Sequence, residues 1–377
     1  MRFLGTVLLV FFSLTFLHAQ LDNDAFDWPY QLDAADSNAL YLGINTLGFA
    51  KNNEYFNAIA DGYTLFGYQF NPYLAYHAAP NFKISAGVYL QKDFGNDEYS
   101  TVEPVFTLGY RTGSTQLLLG TLKGSLSHQL IEPLYDFEKV LVDRMEHGFQ
   151  ILVDKENLFL DGWVDWQHMI YKGENDQEVI SGGLSLNKRL WAGNVELWLP
   201  LQMVVLHKGG QIDSSLEPLQ TYVNTAVGFS LKHQRGQDYF IKSVNLDSYY
   251  VSSSDFSGER LLAYEDGSGW YINASADMRP NLRAMLSYWR GHEFISIMGG
   301  QLYPSVSSSF KNAGTIEEIR QLLIIRLTHS LQITDNISLT TRFEPFFDLQ
   351  NNTFEFSHGF YMSYTPQFLL LRKKANR

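Results

Sequence analysis

Three places in the chain contain residue types that could form part of a hydrolase site. Ser127 and His128 are neighbours, His292 is followed by Glu293, and His147 is a further candidate base. A hydroxyl, an imidazole and a carboxylate within hydrogen-bond reach would give an activated nucleophile. However, the sequence has neither a nucleophile elbow nor zincin spacing, and its 10 histidines form no metal-ligand cluster. It therefore predicts that the protein is not an enzyme and that it holds no metal or cofactor.

The segment LFLDGWVDWQHMIY places Asp161, Trp163, Asp165 and Gln167 on one side of an extended chain. Two carboxylates beside an aromatic ring could bind a cation or a sugar. Four residues along a strand separate them by about 13 Å, which is too far for glycoside hydrolysis by this pair alone. We favour decoration of a sheet wall, and ligand binding stays the alternative.

The elements that position these residues are predicted to be strands. FKISAGVYLQK, residues 82–92, alternates apolar and polar side chains throughout. Similar alternation recurs in about sixteen segments, with 14 to 18 strands compatible with the pattern. Tight turns such as AAPN, TGS and DKEN stand at every second junction, and longer polar connections stand at most of the others. Short turns at one end and long loops at the other indicate an all-β transmembrane antiparallel barrel, with short periplasmic turns and longer extracellular loops.

Composition supports export to a membrane. The N-terminal sequence MRFLGTVLLVFFSLTFLHAQ reads as a cleaved signal peptide, residues 1–19. We predict a periplasmic tail at 20–38, an outer-membrane barrel at 39–371 and a second periplasmic tail at 372–377. The chain has no cysteine, and its 22 tyrosines and 27 phenylalanines suit interfacial aromatic girdles. A net charge of -12 argues against nucleic acid as a partner. A soluble sandwich with the apolar rows inside is the alternative fold.

In its strand and loop pattern, essentially the whole mature chain resembles bacterial outer-membrane β-barrel proteins of the porin-like class, and the most specific motif lies near its end. Ser357, Gly359, Met362 and Tyr364 are similar in type and spacing to the signal that such proteins present to the outer-membrane insertion machinery. Typical members end on an aromatic residue, whereas this chain continues through TPQFLLLRKKANR. The resemblance implies an outer-membrane location, with lipid and the insertion machinery as partners.

In a barrel of about sixteen strands the polar rows would face a lumen that is too wide for side chains to fill. Charged rings there could set the ion preference of a channel, with Arg320, Arg326 and Arg342 as an anion-attracting strip. Alternatively, pairs such as Glu344 and Arg342 with Arg326 hold neighbouring strands in register. The predicted pore-lining residues are Lys83, Glu103, Arg111, Asp161, Asp165, Glu196, Arg283, Arg320, Arg326, Arg342, Glu344 and Asp348.

The sequence thus predicts a porin-like channel for passive diffusion of small hydrophilic solutes. The alternative is a non-conducting barrel that serves as an assembly or interaction subunit of an envelope complex. Loops 124–144 and 293–317 could fold inward and narrow the pore or fold outward as a cap. A homo-oligomer and other envelope proteins are both open as partners.

Overall fold

The computed structural model describes residues 26, 28 and 37–372. The predicted signal peptide and the end of the predicted C-terminal tail lie outside these residues. None of the described helices is long and apolar enough to cross a membrane. The strands are β1 Ala39–Glu54, β2 Thr64–Ala79, β3 Phe82–Asp93, β4 Thr101–Thr112, β5 Thr115–Thr121, β6 His147–Lys155, β7 Leu158–His168, β8 Val179–Trp191, β9 Glu196–Lys208, β10 Gln220–Gln234, β11 Ile241–Asp255, β12 Asp266–Met278, β13 Leu282–His292, β14 Ile319–Thr334, β15 Ile337–Asp348, β16 Thr353–Tyr364 and β17 Gln367–Arg372.

These strands form one closed antiparallel sheet. Each of β1 to β15 pairs with the next strand in the chain, and β16 closes the barrel by pairing with β1. β17 continues β16 along the same edge of β1, so the wall has sixteen strands. The predicted barrel is therefore confirmed. Tight turns lie at one end, which we call the turn end, and longer connections lie at the other, the loop end.

The alternation in the sequence places polar residues inside this barrel and apolar residues outside. On β3, Lys83, Tyr89 and Gln91 point inward and are buried, with exposed fractions of 1–3%. On the outer surface Phe106 and Leu119 are about half exposed, as expected for side chains that face lipid. The stretch 82–92 therefore has the orientation that the sequence predicts.

Two long connections at the loop end turn into the lumen. The first inserted loop, residues 122–146, contains a 3₁₀ helix at Ser125–His128 and an α-helix, α1, at Lys139–Val142. The second inserted loop comprises residues 293–318. Their apolar side chains pack against inner-wall residues in one buried cluster, which includes Leu130, Leu134, Phe294 and Tyr303 from the loops. Inward folding of both loops is the alternative that the structure adopts.

Wall side chains bind the backbone of the first inserted loop. The amide of Gln69 donates to the carbonyl of Val140 at 2.7 Å, and the amide of Gln91 donates to that of Leu141 at 2.8 Å. Buried polar groups need such partners, and here the polar inner rows supply them. The polar rows therefore bind a folded plug, so the residues that the sequence predicts to line a channel contact inserted loops.

Two residues of the predicted periplasmic tail also lie inside the barrel. Phe26 is buried against Tyr361 and Phe137, and Trp28 stacks on the guanidinium of Arg144 at 3.8 Å. At these two residues the tail enters the lumen and contacts the first inserted loop.

Candidate functional site

The predicted pore-lining residues are distributed along the inner wall and its turn end. Arg111 is exposed beside Gly113, and Glu196 is half-buried against Arg189. Asp165 accepts a hydrogen bond from the backbone N–H of His147 at 2.8 Å. Their role in conduction stays a prediction. Those that are buried are Lys83, Asp161, Asp165, Arg283, Arg320, Arg326, Arg342, Glu344 and Asp348.

The predicted arginine strip is an ion-pair network. Arg326 and Arg342 both contact Glu344, the latter at 2.6 Å, and both contact Glu132 of the first inserted loop. Arg320 pairs with Asp348 at 2.6 Å. These arginines therefore connect neighbouring strands and attach the plug to the wall, as in the ion-pair alternative.

His128 lies in a second buried cluster. Its Nδ1 is 2.8 Å from Asp161 and its Nε2 is 2.8 Å from Glu146, while its ring stacks on Trp163 with centroids 3.7 Å apart. Burial lowers the pKa of His128, but the two carboxylates outweigh it and raise the pKa to about 10. Burial raises the pKa of Glu146, but His128 outweighs it and the pKa falls to about 2. Since both ring nitrogens are engaged and the ring holds its proton, His128 is a structural cation.

The wall is incomplete at the loop end between β4 and β7, because β5 and β6 have only 7 and 9 residues. The β4–β5 pairing covers residues 107–112 of β4 and stops there, although β4 begins at Thr101. The β6–β7 pairing ends at Asp165, whereas β7 continues to His168. We call this gap, bordered by 101–106 and 166–168, the wall notch. It exists because the chain leaves the wall after Thr121 and rejoins it at His147.

Thr121, His147 and Glu103 form a hydrogen-bonded chain at the floor of the notch. Thr121 and His147 are directly paired across β5 and β6. The Thr121 hydroxyl is 3.3 Å from Nδ1 of His147, and Nε2 of His147 is 3.4 Å from Oε2 of Glu103. The backbone N–H of Phe106 donates to the Thr121 hydroxyl at 3.1 Å. A hydroxyl, an imidazole and a carboxylate in this order are the parts of a nucleophilic hydrolase site.

Two of the three side chains in this hydrogen-bonded series are accessible to solvent. The side chains of His147 and Glu103 are 39% and 42% exposed, in contrast to the fully buried His128. Gly120 allows the backbone of β5 to approach the backbone of β4 closely. It has a φ of +102°, and an added Cβ would lie 2.2 Å from the carbonyl oxygen of Phe106. This close approach of β5 to β4 lies directly before Thr121, which is the last residue of β5 and still pairs with His147.

Apolar side chains surround the notch on the lipid-facing side. Phe106 and Leu119 lie on one side of it, and Phe149, Val164 and Trp166 lie on the other, each between 41% and 54% exposed. Long loops mark the extracellular end of such barrels, so the notch opens toward the outer leaflet.

The other predicted hydrolytic residues do not assemble a similar site. The hydroxyl of Ser127 donates to the carbonyl of Gly124 at 2.7 Å. His292 lies 3.3 Å from Glu318 and 3.8 Å from Glu293. Within residues 26, 28 and 37–372, no three His, Cys, Asp or Glu side chains are grouped closely enough to hold a metal ion.

Thr121 is the residue that the sequence analysis missed, and Glu103 was assigned to the pore. Thr121 and His147 are 26 positions apart and are joined only because the loop between them folds back to the same level of the wall. Local spacing carries no signal for such a pair. A short strand followed by a long connection was the available sign that the wall opens here.

A family model described as "Lipid A 3'-O-deacylase-type" matches residues 32–373. No curated protein sequence matches the chain. Because the matched family is named for an enzyme, the prediction that the protein is not an enzyme is wrong. Local motifs carry no signal for such a site, because its candidate residues lie on three different strands, β4, β5 and β6.

Solved structures of outer-membrane barrels share the fold. OmpT of Vibrio cholerae, an outer membrane protein solved as a loop L8 deletion mutant, has a TM-score of 0.52 and 9% identity, covering 87% of this chain and 100% of that one. OccK11 of Pseudomonas aeruginosa has a TM-score of 0.51 and 12% identity, covering 90% of this chain and 99% of that one. OccK5 of the same organism has a TM-score of 0.51 and 11% identity, over 88% and 99%. The fold agrees with the predicted outer-membrane location.

Proposed function

Because the chain belongs to the lipid A 3'-O-deacylase-type family, we propose that it is an outer-membrane hydrolase that removes an ester-linked acyl chain from a lipid A-type glycolipid. The observation that carries the proposal is the Thr121–His147–Glu103 chain at the floor of a notch that opens to the outer leaflet. The substrate is a lipid, and the notch is bordered by lipid-facing apolar residues.

In the proposed reaction His147 is the general base and Thr121 is the nucleophile. His147 takes the proton of the Thr121 hydroxyl as its oxygen attacks the ester carbonyl carbon. His147 then gives that proton to the sugar oxygen as the ester bond breaks, which leaves an acyl-threonine. His147 then takes a proton from water as the water oxygen attacks the acyl-threonine, and it returns that proton to the Thr121 oxygen as the fatty acid is released. The net reaction is ester plus water to alcohol plus acid.

Glu103 has a positioning role. Its carboxylate accepts a hydrogen bond from Nε2 of His147, which leaves Nδ1 free to accept the proton from Thr121. It also stabilises the imidazolium that forms during attack. Separations of 3.3 and 3.4 Å are longer than ideal, and hydrogen bonds at catalytic sites commonly shorten when substrate is bound.

The test is hydrolysis of lipid A by the purified full-length barrel in mixed detergent micelles, with released fatty acid and deacylated lipid measured by mass spectrometry. We expect His147→Gln to lower the rate by about 100-fold or more, since general base catalysis contributes about 10²–10⁴. A barrel that releases no fatty acid from any acyl position, or a His147→Gln variant as active as the wild type, would refute the proposal.

A matched control exists in the same barrel. His207 and Thr221 form another imidazole–hydroxyl pair between adjacent strands, with Nδ1 and Oγ1 2.9 Å apart, on β9 and β10. His207→Gln removes the same type of hydrogen bond away from the notch. We expect this variant to keep wild-type activity, so that a loss specific to His147→Gln reflects chemistry and not a weakened sheet.

Passive diffusion of small hydrophilic solutes is the second candidate function. The specific observation in its favour is a closed wall of sixteen strands with polar inner rows, a width at which barrels can enclose a channel. The two inserted loops oppose it because their side chains pack across the lumen. Conductance of the purified protein in planar bilayers tests this function, and a barrel that stays closed at all voltages would exclude it.

A further inference from the structure

A groove lies on the lipid-facing surface of the wall between β10 and β14, close to the turn end. Its volume is about 640 Å³, which is within the range of about 300–1,000 Å³ that is common for small-molecule sites. Most of its lining is apolar and includes Val244, Leu246, Ala274, Ala276, Ala284 and Leu286. Val244, Leu246 and Leu286 are 39–45% exposed, so these side chains point away from the lumen.

The groove exists because small side chains stand among large ones at this place. Ala276 of β12 pairs with Ala284 of β13, and Ala274 lies two residues away on the same face of β12. Leu246 of β11 and Leu286 of β13 pair with Ala274 from either side. A leucine projects further from the sheet than an alanine, so the three alanines form a recessed floor and the leucines form its rims.

Lipid acyl chains are in contact with this surface, because it belongs to the outward rows of a transmembrane barrel. These chains are as apolar as leucine, so exclusion of water does not favour one apolar site over another within the membrane. Selectivity must come from shape, since a chain that lies in a recess makes van der Waals contacts on more sides than a chain on a convex wall. The groove therefore favours an acyl chain over the surrounding lipid-facing wall.

The groove is polar where it approaches the turn end. His233 borders it, and Nδ1 of His233 lies 2.6 Å from the backbone carbonyl oxygen of Asn194. Since a carbonyl oxygen only accepts, Nδ1 carries a proton, and in an imidazolium Nε2 is a donor as well. Arg235 follows two residues later and is exposed, and its backbone N–H donates to the carbonyl of Lys242 at 2.8 Å. These basic residues at one end of the groove match the charge of a lipid phosphate.

The turn between β10 and β11 also marks the level of the lipid head groups. Tyr239 and Phe240 are 59% and 65% exposed there, and such aromatic side chains are typical of the membrane interface. Asp238, the carboxylate of the same turn, lies 3.7 Å from Arg279. The tight turns of such barrels face the periplasm, so the interface at this level belongs to the inner leaflet, which in an outer membrane consists of phospholipids.

We propose that this groove is a binding site for one glycerophospholipid of the inner leaflet. One acyl chain lies in the recess over Ala274, Ala276 and Ala284, and the phosphate contacts His233 and Arg235. The site goes beyond the proposed hydrolysis and does not depend on it, because the wall notch lies at the opposite end of the barrel, between β4 and β7.

The test is titration of the purified, delipidated full-length barrel with phosphatidylglycerol in a nonionic detergent, measured by native mass spectrometry. We expect one lipid per chain to bind at the lowest lipid concentrations. Ala276→Phe fills the recess and should weaken this binding about tenfold or more, because the acyl chain loses its contacts. His233→Gln leaves the recess intact and should weaken binding about fivefold, as is typical for one basic side chain at an anionic lipid surface. Heat-modified migration on gels checks that both variants are folded.

Two controls separate this site from the general lipid shell of the barrel. Ala86→Phe introduces the same side chain at an exposed alanine of β3, on the lipid-facing surface away from the groove, and should leave binding unchanged. A diacylglycerol with the same acyl chains but no phosphate should bind the wild type about fivefold more weakly.

Three outcomes would overturn the proposal. Binding that Ala276→Phe leaves unchanged, or that Ala86→Phe weakens equally, would mean that the lipid belongs to the general shell. Diacylglycerol that binds as tightly as phosphatidylglycerol would mean that the groove does not recognise a phosphate. A wild-type dimer that Ala276→Phe dissociates would make the groove an interface between two copies of the chain.

Discussion

The structure contains two histidines close to the same wall segment that are suited to opposite tasks. His128 is fully buried between Asp161 and Glu146, whereas His147 is partly exposed between a hydroxyl and the carboxylate of Glu103. Two carboxylates fix a proton on an imidazole, because losing it would leave uncompensated buried charge. At His147, Nε2 is engaged by the Glu103 carboxylate, so Nδ1, which faces the Thr121 hydroxyl, can accept a proton. The partners therefore decide which histidine can act as a base.

The largest effect that would sharpen this comparison is expected at Thr121. If His147 activates this hydroxyl, Thr121→Ala lowers kcat for lipid A hydrolysis by about 100-fold or more, because no nucleophile remains. Thr121→Ser keeps the hydroxyl and should retain measurable turnover. Steady-state kinetics of the two variants checks this. A Thr121→Ala variant of normal activity, together with an inactive His147→Gln variant, would show that water is attacked by the base directly and that Thr121 is not the nucleophile.

A smaller effect is expected at Glu103. Glu103→Gln keeps the size of the side chain but removes the charge that stabilises the imidazolium, so kcat should fall about 10- to 100-fold. KM should change little if Glu103 acts only through His147, to which its carboxylate is hydrogen-bonded. Since the site is partly exposed, salt screens the interaction between Glu103 and the imidazolium. The ratio of wild-type kcat to Glu103→Gln kcat should therefore decrease at 1 M NaCl. An advantage that is independent of salt would argue against an electrostatic role.

The fold was predictable from the sequence, and the site was not. Alternation along β3 and in β14 fixes which rows face lipid, because a slip of one residue would reverse every side chain. No local sequence pattern predicts that residues 122–146 turn inward. The contacts that hold them join residues far apart in the sequence, since Glu132 is 194 positions from Arg326 and 210 positions from Arg342. The wall notch exists because of that insertion. Alternation along β4 predicts that Glu103 faces inward, but it carries no information on where the neighbouring strand β5 ends.

The next prediction concerns the stability of the first inserted loop. The pKa of His128 is about 10 in the folded protein, above the 6.5 of an ordinary histidine, so the folded state binds the proton more tightly. Its contribution to stability is full below pH 6.5 and is lost as the pH rises through 10. The unfolding temperature of the wild type should therefore fall between pH 7 and pH 10.

Substitution of His128 tests this directly. His128→Gln leaves two buried carboxylates without their cation, a change that typically costs about 3–5 kcal/mol. The variant should have a lower unfolding temperature at pH 7 and a flatter dependence between pH 7 and pH 10. His292→Gln is the control, because His292 is 52% exposed and pairs with Glu318 at the surface. If His128→Gln and His292→Gln behave alike, the buried cluster contributes little and the contrast with His147 disappears.

The smallest effect is expected in conductance. Its measurement shows whether the first inserted loop closes the lumen permanently or can open it. Glu132→Gln weakens the contacts of the first inserted loop to Arg326 and Arg342, although the apolar packing of Leu130 and Leu134 remains. The loop should stay in the lumen for most of the time, with brief openings in planar bilayers that the wild type lacks. Asp143→Asn is the control, since the Asp143 side chain is 65% exposed and pairs with Lys139 of the same loop. If both variants open equally often, the openings come from general loosening of the loop. If only Glu132→Gln opens, the contacts of Glu132 with Arg326 and Arg342 keep a channel closed.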